Sequence, residues 1–204
     1  MSQYHSFDPA EGHGLPHDPV KAIVAPRPIG WISSLDANGR ANLAPYSFFN
    51  IFASKPPILG FSSEGWKHSV ANIEATGEFV FNLATARLAQ AMNLSSGDFA
   101  QGTDEFAKAG LEKMPSENVS APRVAGVAAA MECKLIEIKP LHDLDGNPVG
   151  NFLVLGQVVA VHIEKSYLAD GLFDIAKAQT IARCGYRGDY VIADHMFEMI
   201  RPKV

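Results

Sequence analysis

Two clusters in this 204-residue chain put reactive side-chain types where packing alone would not ask for them. The first is Tyr46-Ser47-Phe48-Phe49-Asn50, where phenol, hydroxyl, aromatic rings and amide crowd together just past an apolar run. Backbone N–H groups and the Ser47 hydroxyl can bond the polar edge of a planar molecule, and Phe48 and Phe49 offer it aromatic contact area. Asn82, polar near the end of the apolar run 78–83, can add an amide to the same ring. The alternative makes both phenylalanines core residues and both asparagines turn residues. It suits each residue alone better than it suits the cluster.

The second cluster is Lys67-His68-Ser69, just ahead of a helical run. A helix N-terminus presents unpaired amides and the positive end of the helix dipole, and here an ammonium, an imidazole and a hydroxyl stand beside it. Taken locally, Ser69 reads first as a helix cap and Lys67 as a solvated charge. Arg27 lies between Pro26 and Pro28, and Arg183 beside Cys184-Gly185. Guanidinium forks match phosphate oxygens, although either arginine also suits an interface ion pair. Ser62 adds a hydroxyl at the end of the strand before the helix. No acid–base pair or nucleophile emerges, and Cys184 has no neighbouring base or resolving thiol.

These residues must be positioned mainly by strands. Alternation and turn signals predict strands near 20–25, 29–35, 40–45, 57–62 and 78–83, with two longer ones near 127–139 and 151–164. The long pair flanks Asp143-Leu144-Asp145-Gly146-Asn147-Pro148, a turn whose early glycine and missing closing Glu rule out a calcium loop. Helical spacing covers 69–76 and 86–94, with a helical turn near 104–109; a last short strand is expected within 186–192. Residues 1–19, rich in His, Gly, Pro and Asp, read as an extended arm of one domain spanning 1–204. Many strands with hairpin-type links favour an antiparallel barrel over a doubly wound sheet.

A net charge of −5 without a long Lys/Arg run argues against nucleic-acid binding. No stretch is long and apolar enough for a membrane span, and no export signal is visible, so a cytoplasmic protein is expected. Two cysteines make no disulfide framework, and the histidines of the arm form no closed ligand set, so no metal site is expected.

The segment PRPIGWISSLDANGRANLAPYSFFN at 26–50 resembles the flavin reductase-like proteins, the FMN-binding split β-barrels that include flavoredoxins and the reductase components of two-component monooxygenases. Further matching blocks are Pro56-Pro57-Ile58-Leu59-Gly60-Phe61-Ser62, Lys67-His68-Ser69-Val70-Ala71-Asn72-Ile73, Gly77-Glu78-Phe79-Val80-Phe81-Asn82-Leu83 and Ile181-Ala182-Arg183-Cys184-Gly185-Tyr186. The likeness is strong over 16–84, looser to about 160, and returns near 181–191. It implies a mostly β fold, an antiparallel Greek-key split β-barrel with a few short peripheral helices. It further implies an FMN cofactor, NAD(P)H as co-substrate, a homodimer, and a partner oxygenase or other acceptor. In the family the Lys67 block usually reads Lys-Asp-Ser or Lys-Asp-Thr and lies at the phosphate; here His68 replaces the Asp. The resemblance therefore assigns Lys67, Ser69 and Arg27 to the phosphate, with Arg183 in a matching Arg-x-Gly block, and Ser47 to Asn50 with Asn82 to the ring. No protein acid is needed, because hydride passes directly from nicotinamide to flavin N5. The alternative within the family is an FMN-binding electron carrier or sensor without nicotinamide activity. A pyridoxamine-phosphate oxidase-like enzyme and a cofactor-free barrel module are weaker readings.

Overall fold

The computed structural model describes residues 3–100 and 102–203. In chain order it runs α1 (Val20–Ile23), β1 (Arg27–Pro28), β2 (Gly30–Leu35), β3 (Ala41–Tyr46), β4 (Phe49–Ser54), β5 (Pro57–Glu64), α2 (His68–Thr76) and β6 (Glu78–Leu83). There follow α3 (Ala89–Leu94), α4 (Glu105–Lys108), the short pair β7 (Lys113–Met114) and β8 (Arg123–Val124), and the long strands β9 (Ala129–His142) and β10 (Pro148–Ile163). The chain closes with β11 (Leu168–Ala169), β12 (Leu172–Phe173), α5 (Ile175–Ala178), β13 (Thr180–Arg183) and β14 (Tyr190–Ala193).

Seven strands form one antiparallel sheet in the order β3-β2-β6-β9-β10-β5-β4. Its two edge strands, β3 and β4, are consecutive in sequence and separated only by Ser47 and Phe48. From Tyr46 to Phe49 the chain reaches at most about 11 Å. The sheet must therefore curl until its opposite edges almost meet, giving a barrel split at one seam. That seam is where the aromatic-polar cluster lies. A second sheet, β1-β13-β14, sits beside it. The antiparallel, mostly β split barrel agrees with the expected fold.

Alternation along the strands feeds two cores. Ile32, Phe79 and Phe81 face the barrel interior with Phe61 and Val154, while Trp31, Leu43 and Val124 face an outer layer with Met92 and Phe106. Helix α2 plugs the interior through Val70 and Ile73, both fully buried. It ends at Gly77, whose φ of +73° is readily reached by glycine, and whose N–H closes onto Ile73 O.

Three local expectations change. The stretch 20–25 is not a strand: Asp18 Oδ1 accepts from Val20 N at 2.9 Å and a single helical turn follows. Its Ile23 and Val24 stay exposed, so no sheet rewards the β-branched pattern. The cluster at 46–50 is a connection only at Ser47-Phe48, because Phe49 already pairs with Phe61 in β4. The expected helix 86–94 divides into a 3₁₀ turn, Ala86–Leu88, and α3. The last strand, expected within 186–192, begins at Tyr190 and runs to Ala193, and Arg183 ends the strand before it, β13. The arm at 3–19 holds no regular element, as expected; residues 1 and 2 lie outside the described residues. His17 of the arm rests against Tyr186, ring centroids 5.7 Å apart.

Candidate functional site

The N-terminus of α2 opens into a cleft of about 480 Å³. Lys67 is the N-cap, in extended conformation; no side chain caps the helix and no acid occupies its first turn. The first-turn amides are thus left to whatever enters the cleft. Lys67, His68, Ser69 and Tyr46 all line it. These four predicted residues are therefore brought together.

Ser69 is nevertheless not a cap. It is almost fully buried, and its Oγ accepts from Asn42 Nδ2 at 2.9 Å. Burial of the Tyr46 phenol outweighs the opposing influence of the nearby Ser69 and Ser63 hydroxyls and pushes it above its ordinary value, so it stays protonated. Ser69 thus ties α2 to the barrel wall and presents its backbone amide rather than its hydroxyl. Two acids that sequence reasoning missed, Asp98 and Glu105, share the cleft. Glu105 is 4 % exposed; burial raises its carboxyl, and the 3.2 Å bond from Leu43 N only partly offsets this. Nothing in the sequence announces this, since Glu105 follows the helix cap Asp104 and reads as a surface first-turn acid.

A second cavity, of about 880 Å³, adjoins the first. Ser47 and Arg183 line it, with Arg187 and Tyr190, which the sequence did not single out. Pro45 and Ser96 line both spaces, so the two cavities are neighbours that share a wall. Arg183 is thereby separated from the Lys67 group.

The remaining predicted residues line neither space. Arg27 is buried, donating through Nη1 to Lys21 O and, at 2.6 Å, to Val24 O; its Nε is buried without a partner. Phe48 carries Lys21 Nζ 5.5 Å above its ring. Phe49 stacks on Phe81 at 4.8 Å, so it belongs to the interior core as well as to the seam. Asn50 is exposed and bonds Ile51 N, and Ser62 Oγ accepts from Asn151 at 3.4 Å. Asn82 departs furthest from expectation. Fully buried, it donates to Trp31 O and Ser33 Oγ and accepts from Val124 N, so both ends of its amide are committed to the barrel wall. Trp31 is fully buried and donates its Nε1–H to Ser95 Oγ at 2.9 Å. Among the described residues no cluster of three metal-ligating side chains occurs, and no helix is long and apolar enough to cross a membrane.

An uncapped helix N-terminus beside an exposed lysine, in a cleft that borders a seam of backbone and aromatic groups, suits a molecule with a phosphate at one end and a flat ring at the other. The comparisons point the same way. An uncharacterized protein of Aquifex aeolicus is 32 % identical over 179 residues, 85 % of this chain and 87 % of that protein. Nitrilotriacetate monooxygenase component B from Bacillus cereus superposes with a TM-score of 0.87 at 27 % identity, covering 98 % of this chain and all of that one. The 2-nitrobenzoate 2-nitroreductase NbaA of Pseudomonas fluorescens gives 0.79 at 28 % identity, covering 90 % of this chain and 88 % of that one. The family model described as "Flavin reductase like domain" matches residues 24–180, so this chain belongs to the flavin reductase-like family.

Proposed function

We propose that the protein binds FMN and reduces it with NADH or NADPH, working as a homodimer that passes electrons to a partner oxygenase or another acceptor. The observation that carries this reading is the uncapped N-terminus of α2, with Lys67 beside it, in a cleft lined by Tyr46, the last residue of β3 before the Ser47-Phe48 seam. Family membership supports the reductase class, and likeness to a monooxygenase component and to a nitroreductase supports oxidoreductase chemistry. Bound FMN would supply the two-electron step, in which NAD(P)H + H⁺ + FMN gives NAD(P)⁺ + FMNH₂.

The chain's own residues bind and orient. Lys67 and the first-turn amides of α2 hold the phosphate. The Ser47 hydroxyl and the seam backbone bond the polar ring edge, while Phe49, fixed by its stack on Phe81, sets the seam's position. Arg27 acts one step back, fastening α1 beside the seam through its bonds to Lys21 and Val24 carbonyls.

The test is a visible spectrum after FMN addition and gel filtration, followed by anaerobic NADH or NADPH. Retained yellow colour bleached by nicotinamide is the expected result, or bleaching of excess free FMN if the flavin dissociates. Colour bleached only by dithionite would make the protein an electron carrier or sensor. Flavin that neither binds nor is reduced would overturn the reading.

A further inference from the structure

The cavity next to the proposed flavin cleft has a charge that its surroundings do not explain. The chain is acidic overall, with 22 Asp and Glu against 17 Lys and Arg. Yet Arg183 and Arg187 both line this cavity and no carboxylate does. Strand register sets a third arginine beside Arg183. Arg183 lies directly opposite Arg27 across the β1–β13 pair and opposite Tyr190 across β13–β14. Like charges placed opposite each other in a sheet are destabilising unless something lies between or neutralises them.

Neighbouring groups do not neutralise them. Arg183 stacks over Tyr190, 4.9 Å from its centroid, and makes a long 3.5 Å contact from Nη1 to Asp189 O. The Asp189 carboxylate is turned to Tyr186 N at 2.7 Å. Arg187, on the exposed turn between β13 and β14, has no hydrogen-bond or ion-pair partner among the described residues. Two guanidinium forks facing one space, backed by the apolar side chains of Ile29, Met92 and Ile181, make a site for a doubly anionic group attached to something flat and apolar. At about 880 Å³ the space is far larger than a one-ring acid needs and falls in the range of nucleotide-sized ligands.

We infer that this cavity holds the phosphates of the electron donor: Arg183 and Arg187 grip the pyrophosphate of a nicotinamide dinucleotide, beside the flavin site and not within it. The inference rests on the proposed flavin function, because the donor's nicotinamide must then reach the ring at the seam. Ser47 lines this cavity and stands at that seam, which gives the nicotinamide end its path.

The experiment compares the wild-type protein with Arg183→Gln, Arg187→Gln and the double variant, using ADP as the pyrophosphate probe. ADP binding is followed by calorimetry, FMN and riboflavin binding by flavin fluorescence, and KM for the nicotinamide donor by steady-state kinetics. The double variant is expected to lose at least tenfold in ADP affinity and to raise the donor KM by a similar factor. Its affinity for FMN should stay within twofold of wild type. Arg187→Lys, which keeps the charge, should recover part of the ADP binding, and unchanged thermal midpoints exclude misfolding as the cause. ADP binding that is absent from the wild type, or that survives the double variant, would overturn the inference. Weakened FMN but unchanged riboflavin binding would also overturn it, assigning the arginines to the flavin phosphate while sparing the proposed function. A wild type that binds ADP through these arginines but neither binds nor reduces flavin would defeat the flavin reading and, with it, the donor assignment.

Discussion

At the scale of single residues, Lys67 carries the charge that distinguishes FMN from riboflavin. It is exposed at an uncapped helix start, so its ammonium is free to meet a phosphate, though solvent screens part of its effect. Lys67→Gln should weaken FMN binding about tenfold, about 1.4 kcal/mol, and leave riboflavin binding within twofold, as read by fluorescence quenching. Equal losses for both flavins would remove Lys67 from the phosphate site. A different carboxylate governs acid stability. Glu132, fully buried, accepts from Glu117 N, Asn118 N and His162 Nε2 at 2.6–2.7 Å. Burial pushes its carboxyl up, but these donors outweigh burial and hold it below its ordinary 4.5. The sign follows from linkage: a folded-state value below the unfolded one stabilises fully above the unfolded value and is lost as pH falls through the folded one. Glu132→Gln should cost about 3–5 kcal/mol at neutral pH, because an amide cannot accept three bonds. It should also flatten the fall of the urea midpoint at acid pH. An unchanged acid limb would mean that other carboxylates set it.

At the scale of elements, the seam depends on close approach of two strands. A Cβ on Gly30 of β2 would stand 2.5 Å from Phe49 Cδ2, so Phe49 lies across β2 only because position 30 has no side chain. Gly30→Ala should push Phe49 off Phe81 and lower stability by about 1–3 kcal/mol, seen as a lower urea midpoint. FMN binding should weaken too, because the displaced residue follows Ser47-Phe48 directly. Much of this layout was legible beforehand. Partial alternation in 29–35, and Phe79, Phe81 and Leu83 on one face of 78–83, marked β2 and β6, and Gly77 marked the end of α2. Strand β4 was not legible, because its residues are mostly exposed and lack the two-residue pattern that burial on one face imposes. Asn82 misled for a related reason. A polar side chain inside a strand signals either a ligand or a buried fastener, and only the positions of Trp31, Ser33 and Val124 decide between them. Arg183 and Arg187 were visible as charges, but their shared cavity arises from a hairpin packing near α3, which local sequence does not encode.

At the scale of the whole molecule, the surface leaves apolar side chains that one copy does not cover. Ile51 and Phe52, on edge strand β4, are each 57 % exposed, and Met196, Phe197, Met199 and Ile200 of the C-terminal tail are 70–84 % exposed. An exposed edge strand and an apolar extended tail are both aggregation hazards unless a partner covers them. A second copy answers both demands at once, because a two-fold axis lets each tail lie on the other chain with the same contacts made twice. This is the physical support for the proposed homodimer. It ties assembly to the site, since the β4 edge begins at Phe49, beside the seam. The expected outcome is a dimer in sedimentation equilibrium. Phe197→Asp combined with Ile200→Asp should shift it to monomer, without loss of the β signal in circular dichroism, because neither residue packs in the chain's own core. If the copies complete each other's seam, the monomer should also bind FMN more weakly. A wild-type monomer would end the dimer proposal. A variant that stays dimeric would move the interface from the tail to the β4 edge, where Phe52→Asp is the corresponding test.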